Sequence, residues 1–343
     1  MPLDCAWQFP PNPAQCPEWP KLKKIVELAA GMFFISAIAL ANEPAGRFVP
    51  PAGKIILIVG QDVENIKAYL ESVKIVPAGF AAYTSAEFAE GLTDETDNGG
   101  GPQHAQVLVD RYPNTVLQLA LYMVNEAEKV YSGDVDESLD KIADWIKSAQ
   151  RPVFFRIGYE FDLPENYYEP KSYVQAYRYI VDRFRKRGVT NAAYVWHSYA
   201  SKVSRPHEDW YPGDDYVDWF AISYFDQPQT QMNAMADLAE RHKKPLMIAE
   251  SAPWHFFTQN DDRAWKEWFV PMFKFAEARN VKAISYINCD WDATPLFVSM
   301  GWGDTRIQSN WALMKEWIAE ISKEKYLKSS PGLFSTLGYR ASD

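Results

Sequence analysis

Glu160 and Glu250 are the residues of this chain whose type and spacing best suit chemistry. Each ends a short apolar stretch, 153–157 and 245–249, and each is followed by further polar or aromatic groups, Asp162 and Trp254. A carboxyl at the end of a buried strand is costly to hold unless it is paired or used. In the first stretch a period of two puts Phe154, Arg156, Gly158 and Glu160 on one face. An inward Arg therefore accompanies an inward Glu, which alone is also compatible with a structural ion pair. Two such strands suit acetal hydrolysis: one protonated carboxyl gives its proton to the leaving oxygen, and the other attacks or activates water.

What must position these groups is a regular alternation of strands and helices. Strands are expected at 54–59, 75–83, 115–124, 151–160, 192–198, 217–224, 245–250 and 281–288. Helices are expected near 63–72, before 110, and at 137–148, 171–187, 229–242, 262–278 and 310–323. In the fourth of these, Val174, Tyr177, Ile180, Val181 and Phe184 recur at helical spacing. Strands alternating with helices imply parallel pairing, and eight units in about 270 residues match one (β/α)8 barrel. A doubly wound dinucleotide fold is disfavoured, because Gly60-Gln61-Asp62-Val63 after the first strand is not a phosphate-binding glycine fingerprint. The expectation is a single α/β domain, a (β/α)8 TIM barrel over 50–330, with 331–343 as a C-terminal tail.

Active sites of this architecture lie at the carboxyl ends of the strands. Those ends read Gln61 and Asp62, Tyr83 and Thr84, Tyr122 and Asn125, Glu160 and Asp162. They continue with Trp196 and His197, Tyr224 and Asp226, Glu250 and Trp254, and Asp290 to Asp292. The opposite ends carry Lys54, Arg151, Lys244 and Lys282, which read as solvated strand starts. With 13 Trp, 19 Tyr and 19 Phe in 343 residues, this rim suits stacking on sugar rings. Trp145, Trp265, Trp268 and Trp317 sit at helical spacing and read as core. A net charge of −10, with no basic run beyond Lys21–Lys24 to neutralise phosphates, argues against nucleic acid as a partner. His104, His207, His242 and His255 are too dispersed for a metal ligand set. The segment 94–101 has the outline of a calcium loop but carries Ala105 where the twelfth-position Glu is required. It reads as a loop shaping the cleft, so neither metal nor cofactor is expected. Cys289 reads as an inert buried thiol.

Near the N-terminus a basic run ending at Lys24 precedes an apolar stretch, 28–40, and an Ala39-Leu40-Ala41 site, the pattern of a secretory signal peptide at 21–41. The stretch is too short for a comfortable membrane span; a core or amphipathic helix is the other reading. Residues 1–20, with Cys5 and Cys16, read as a non-native or disordered extension if translation starts at Leu22. Cleavage after Ala41 would leave Cys289 alone, without a disulfide framework. A secreted bacterial monomer, periplasmic or extracellular, is expected.

Four stretches resemble glycoside hydrolase family 26: 156–160, 188–197, 211–219 and 244–250, in that order, with the likeness running over about 53–320. The resemblance implies a retaining, double-displacement mechanism with Glu160 as acid/base and Glu250 as nucleophile. It makes Arg156 the Arg four residues before the acid, Tyr224 the Tyr that bonds the nucleophile, and Trp291 the platform under the sugar. Members that cut mannan carry His just before the acid, whereas this chain has Tyr159, closer to the endo-β-1,3-xylanase branch. The implied order of substrates is β-1,3-xylan, then β-mannan, then mixed-linkage β-glucan; an inactive polysaccharide-binding barrel is the non-enzymatic alternative. The full substrate-binding set is Gln61, Tyr83, Arg156, Tyr159, Asp162, Trp196, His197, Tyr224, Asp226, Trp254 and Trp291.

Overall fold

The computed structural model describes residues 44–340, apart from 167, 257 and 259–262. The expected extension 1–20 and leader 21–41 lie outside the described residues. Eight parallel strands follow one another around a barrel: β1 Ile55–Gly60, β2 Gly79–Ser85, β3 Val116–Tyr122, β4 Val153–Ile157, β5 Ala192–Ser198, β6 Trp219–Tyr224, β7 Leu246–Ser251 and β8 Ala283–Ile287. β1 pairs with both β2 and β8, which closes the ring, and a short β9, Tyr326–Leu327, adds to β1. Helices cover the outside, including α1 Val63–Val73, α2 Ala105–Arg111, α3 Ala127–Ser132, α4 Asp136–Ser148 and α5 Pro170–Lys186. They continue with α6 Gln229–Arg241, α7 Val270–Ala278 and α8 Trp311–Ile321, while the short α9, Leu333–Thr336, packs on the inner cluster. The expected (β/α)8 TIM barrel is the fold found.

Both faces of the eight barrel strands are buried except at Tyr83 and Tyr122 near the rim, which is why the strands read as nearly continuous apolar runs. Alternation divides them. Leu57, Leu119, Phe155, Tyr194 and Ile248 pack outward against the helices, while Ile58, Ala81, Phe154, Trp219, Met247 and Ala283 fill the interior. The inner ring mixes large with small: Phe154 and Trp219 meet edge to face at 5.2 Å, and Ala81, Ala193, Ala221, Ala249 and Ala283 share the interior with them. Phe48, Leu333 and Leu337 join the same inner cluster, so residues beyond 330 pack on the barrel.

The structure differs from expectation at several points. β2 starts at Gly79 rather than 75, because Lys74 ends α1 with a left-handed turn and Pro77 cannot donate to a ladder. Short α3 was not anticipated. Arg151 and Lys282 are buried, not solvated. The Arg151 guanidinium donates to the carbonyls of Val109, Tyr112 and Thr115, closing the C-terminal end of α2. Trp145, Trp268 and Trp317 are buried, as expected, and Trp265 is half-buried. Phe154→Ala should lower unfolding free energy by about 3–5 kcal/mol in urea titrations, since the closed ring cannot collapse onto the void.

Candidate active site

Both glutamates reach the site through breaks in strand alternation. β4 ends at Ile157, and Gly158 and Glu160 both have positive φ, +54° and +53°. A turn therefore carries Glu160 into the site, in place of the straight period-two strand expected. Only glycine fits at 158: an added Cβ would lie 2.7 Å from Met123 Cε and 2.9 Å from Tyr173 Cε2. The Asn166 side-chain amide ties the turn by donating to the carbonyls of Tyr159 and Glu160. On the other side, the β6–β7 register shifts between Ile222 and Ser223, setting Ser223 beside Glu250. Ala249 packs in the inner cluster and Glu250 bonds inward groups, so two successive residues face the interior. Gln118, fully buried on β3, donates to the Ala249 carbonyl at 2.9 Å and braces this irregularity.

Glu250 is held by two donors on one oxygen. Arg156 Nη1 donates to Oε1 at 2.5 Å and the Tyr83 hydroxyl donates to the same atom at 2.9 Å. Oε2 accepts no protein hydrogen bond among the described residues. Burial works against the Arg156 charge, but Glu250 and Tyr83 together outweigh it and hold the guanidinium protonated. Glu160 accepts from Ser223 Oγ at 2.6 Å. Burial first, and the Glu250 charge second, push its carboxyl well above the usual range, so it keeps its proton at neutral pH. One site thus holds a carboxyl fixed by a cation and a second kept protonated, the division of labour an acid/nucleophile pair needs.

The aromatic walls sort the remaining residues. Tyr159 meets Tyr83 edge-on at 5.7 Å, and the Arg156 guanidinium lies over both rings at 5.2–5.3 Å. Exposed Tyr122 extends this wall along the rim. From the loops after β7 and β8, Trp254 and Trp302 stack at 5.1 Å. Trp254, Asp226 and Tyr224 line a hollow of about 280 Å³. Gln61 donates to the Gly100 carbonyl, tying the loop 94–101 to the rim.

Several expected sugar contacts are corrected by burial. Arg156 and His197 are fully buried and bond to protein groups: His197 reaches Arg156 Nη1 and Ser223 Oγ, both at 3.1 Å. Trp196, one residue along β5, points outward instead and stacks on Phe161 at 4.5 Å. Tyr224 also faces outward, against Trp268; the hydroxyl bonded to Glu250 is that of Tyr83, not Tyr224. The Asp162 carboxylate is occupied by Ser198, Ser201, Tyr199 and His207, and holds the loop after β5. Trp291 is buried beneath Phe297 and Trp302, so it offers no open face. Asp62, read as a rim residue, caps α1 by accepting from Glu64 and Asn65. Gln118 and Ser223 were missed; the signal was a polar residue at the inward register of an apolar strand.

The model of glycosyl hydrolase family 26 matches residues 102–291. A beta-1,3-xylanase, TXYA, of a Vibrio species is 32% identical, with 94% of this chain and 76% of that protein covered. A beta-1,3-xylanase of an Alcaligenes species is 31% identical, covering 94% and 74%. Among solved structures, a GH26 beta-mannanase from Bacteroides ovatus is similar with a TM-score of 0.61 at 15% identity, covering 82% of this chain and 93% of that one. At that identity the likeness concerns the fold.

Removing the cation should expose the cost of burying Glu250. Arg156→Met leaves the carboxylate unpaired, and urea unfolding should show a loss of about 3–5 kcal/mol at neutral pH. An unchanged midpoint and slope would contradict the pairing.

Proposed function

This chain belongs to glycosyl hydrolase family 26, and from that membership we propose a secreted, retaining endo-hydrolase of β-1,3-xylan with Glu160 as acid/base and Glu250 as nucleophile. It is a glycoside hydrolase, and its substrate is a polysaccharide. The observation that carries the mechanism is the asymmetry of the two carboxyls. Arg156 and Tyr83 occupy Oε1 of Glu250, which leaves Oε2 as the attacking atom. Glu160, protonated by burial, gives its proton to the glycosidic oxygen as Oε2 of Glu250 bonds to the anomeric carbon. The C–O bond breaks, and a glycosyl ester of Glu250 forms. Glu160, now charged, then takes a proton from water; the hydroxide displaces the ester and returns both carboxyls to their starting states. The Arg156 guanidinium stays protonated throughout and offsets whichever carboxyl is charged.

The choice of β-1,3-xylan is supported by the Vibrio and Alcaligenes relatives and by Tyr159, which stands where mannan-cleaving members carry His. Packed edge-on to Tyr83 and beneath Arg156, the Tyr159 ring narrows the site beside the acid. The leader pattern at 21–41 supports secretion, and the described residues contain no helix long and apolar enough to cross a membrane.

A panel of β-1,3-xylan, β-mannan and lichenan tests the substrate: β-1,3-xylan should give oligosaccharides fastest, and faster release from mannan would overturn this order. Time-resolved NMR of the first products should show retained β-configuration at the new reducing end; the α-anomer would mean direct displacement by water. Glu250→Gln, whose amide oxygen can still accept from Arg156 and Tyr83, should abolish turnover with the fold intact, and near-normal activity would refute the nucleophile. The pH dependence follows from the acid. Its protonated form prevails below its raised pKa, so kcat/KM should hold through neutral pH and fall as pH rises through that value. Glu160→Gln should remove this alkaline limb together with about 10²–10⁴-fold of the rate on polysaccharide.

A further inference from the structure

We propose that Ser223 and His197 are positioning residues: with Arg156 they form a one-directional hydrogen-bond chain that fixes which oxygen of Glu160 carries the proton. The inference rests on the acid/base reading of Glu160. The direction of the chain follows from donor counting. A guanidinium has donors only, and Arg156 Nη1, with two hydrogens, lies 2.5 Å from Glu250 Oε1 and 3.1 Å from His197 Nδ1. One hydrogen goes to each, so Nδ1 of His197 accepts. Burial, and then the Arg156 charge, keep that ring neutral, which puts its hydrogen on Nε2. Nε2 donates to Ser223 Oγ at 3.1 Å, and the one Ser223 hydrogen is left for Glu160 Oε1 at 2.6 Å.

Glu160 Oε1 is therefore an acceptor in both protonation states, and the transferable proton belongs to Oε2. The same Arg156 nitrogen is bonded directly to Glu250 and, through two neutral groups, to Glu160. As negative charge passes from Glu250 to Glu160 during ester formation, the bond to Glu250 Oε1 weakens. The polarisation carried through His197 and Ser223 towards Glu160 strengthens in its place. No proton moves along the chain.

The other charged or titratable groups facing Glu160 are Glu250 from β7, Arg156 from β4, Asp162 and Tyr159 from its own turn, and Tyr199 after β5. Ser223→Ala leaves all of them in place; it removes the hydrogen bond to the carboxylate together with the one that Ser223 accepts from His197. Losing the bond to the carboxylate disfavours the ionised acid, and the alkaline limb of kcat/KM on polysaccharide should move up by about one pH unit. Ser223→Thr, which keeps the hydroxyl, should leave the limb where it is. In the resting enzyme, nitrogen NMR of His197 should show a neutral ring with hydrogen on Nε2 from pH 5 to 9. An Nδ1–H ring or an imidazolium overturns the chain. A Ser223→Ala enzyme that loses rate with its limb unmoved, while Glu160→Ala is inactive on polysaccharide, overturns the positioning role alone. A Glu160→Ala enzyme that still cleaves polysaccharide overturns the acid/base reading, and this inference with it.

Discussion

The ion pair between Arg156 and Glu250 is the constraint on which the site depends. A fully buried guanidinium in the interior of a barrel must have a counter-charge within bonding distance, since each ion loses several kcal/mol of hydration there. Glu250 supplies it, and in doing so it surrenders one oxygen and one orientation. The consequences spread through the upper barrel. Tyr83 shares the occupied oxygen, and Tyr159 lies against the guanidinium with it. Glu160, buried near the same carboxylate, is driven to keep its proton. The pair thus costs stability in the abstract and leaves one carboxyl bound to a cation beside a second that keeps its proton.

Barrel geometry makes that arrangement possible. The lower interior is apolar and packed around Phe154 and Trp219, while the upper interior carries Gln118, Arg156, His197, Ser223 and Ser285, all fully buried. Polar groups at that depth are tolerable only in mutual contact. A closed ring of strands supplies the contact, because inward residues of β3, β4, β5, β6 and β7 converge on one axis. The β6–β7 register shift and the left-handed turn after β4 are local departures from regular structure. Such departures concentrate at functional sites, where surrounding packing over-determines the backbone. Here Gln118 braces the first and Asn166 the second.

The outer rim follows a different logic. Residues read as sugar contacts because they end strands divide by the parity of the strand. Inward parity places His197 beneath the site, and outward parity buries Trp196 and Tyr224 among helices. The open aromatic faces come instead from Tyr122 and Tyr159 near the ends of β3 and β4, and from Trp254 and Trp302 on loops. Asp162 shows the same point for a charge: its oxygens are consumed in holding a loop, so a rim position does not imply an exposed group.

By itself, the sequence determined the alternation of strands and helices, hence the barrel, because burial on both strand faces and amphipathic helices leave a periodic record in residue types. It also marked Glu160, Glu250 and Arg156, since charges in apolar stretches are conspicuous. It did not reveal which neighbours those charges meet. Ser223 and Gln118 are ordinary polar residues until ring closure brings β3, β6 and β7 within reach of one another. Tyr83, not Tyr224, bonds Glu250 because strand parity and barrel curvature, which no local pattern encodes, decide which hydroxyl points inward. Only the tertiary structure could decide partnership, because hydrogen bonds between residues 94 or 167 positions apart are set by the closed sheet and not by the chain between them.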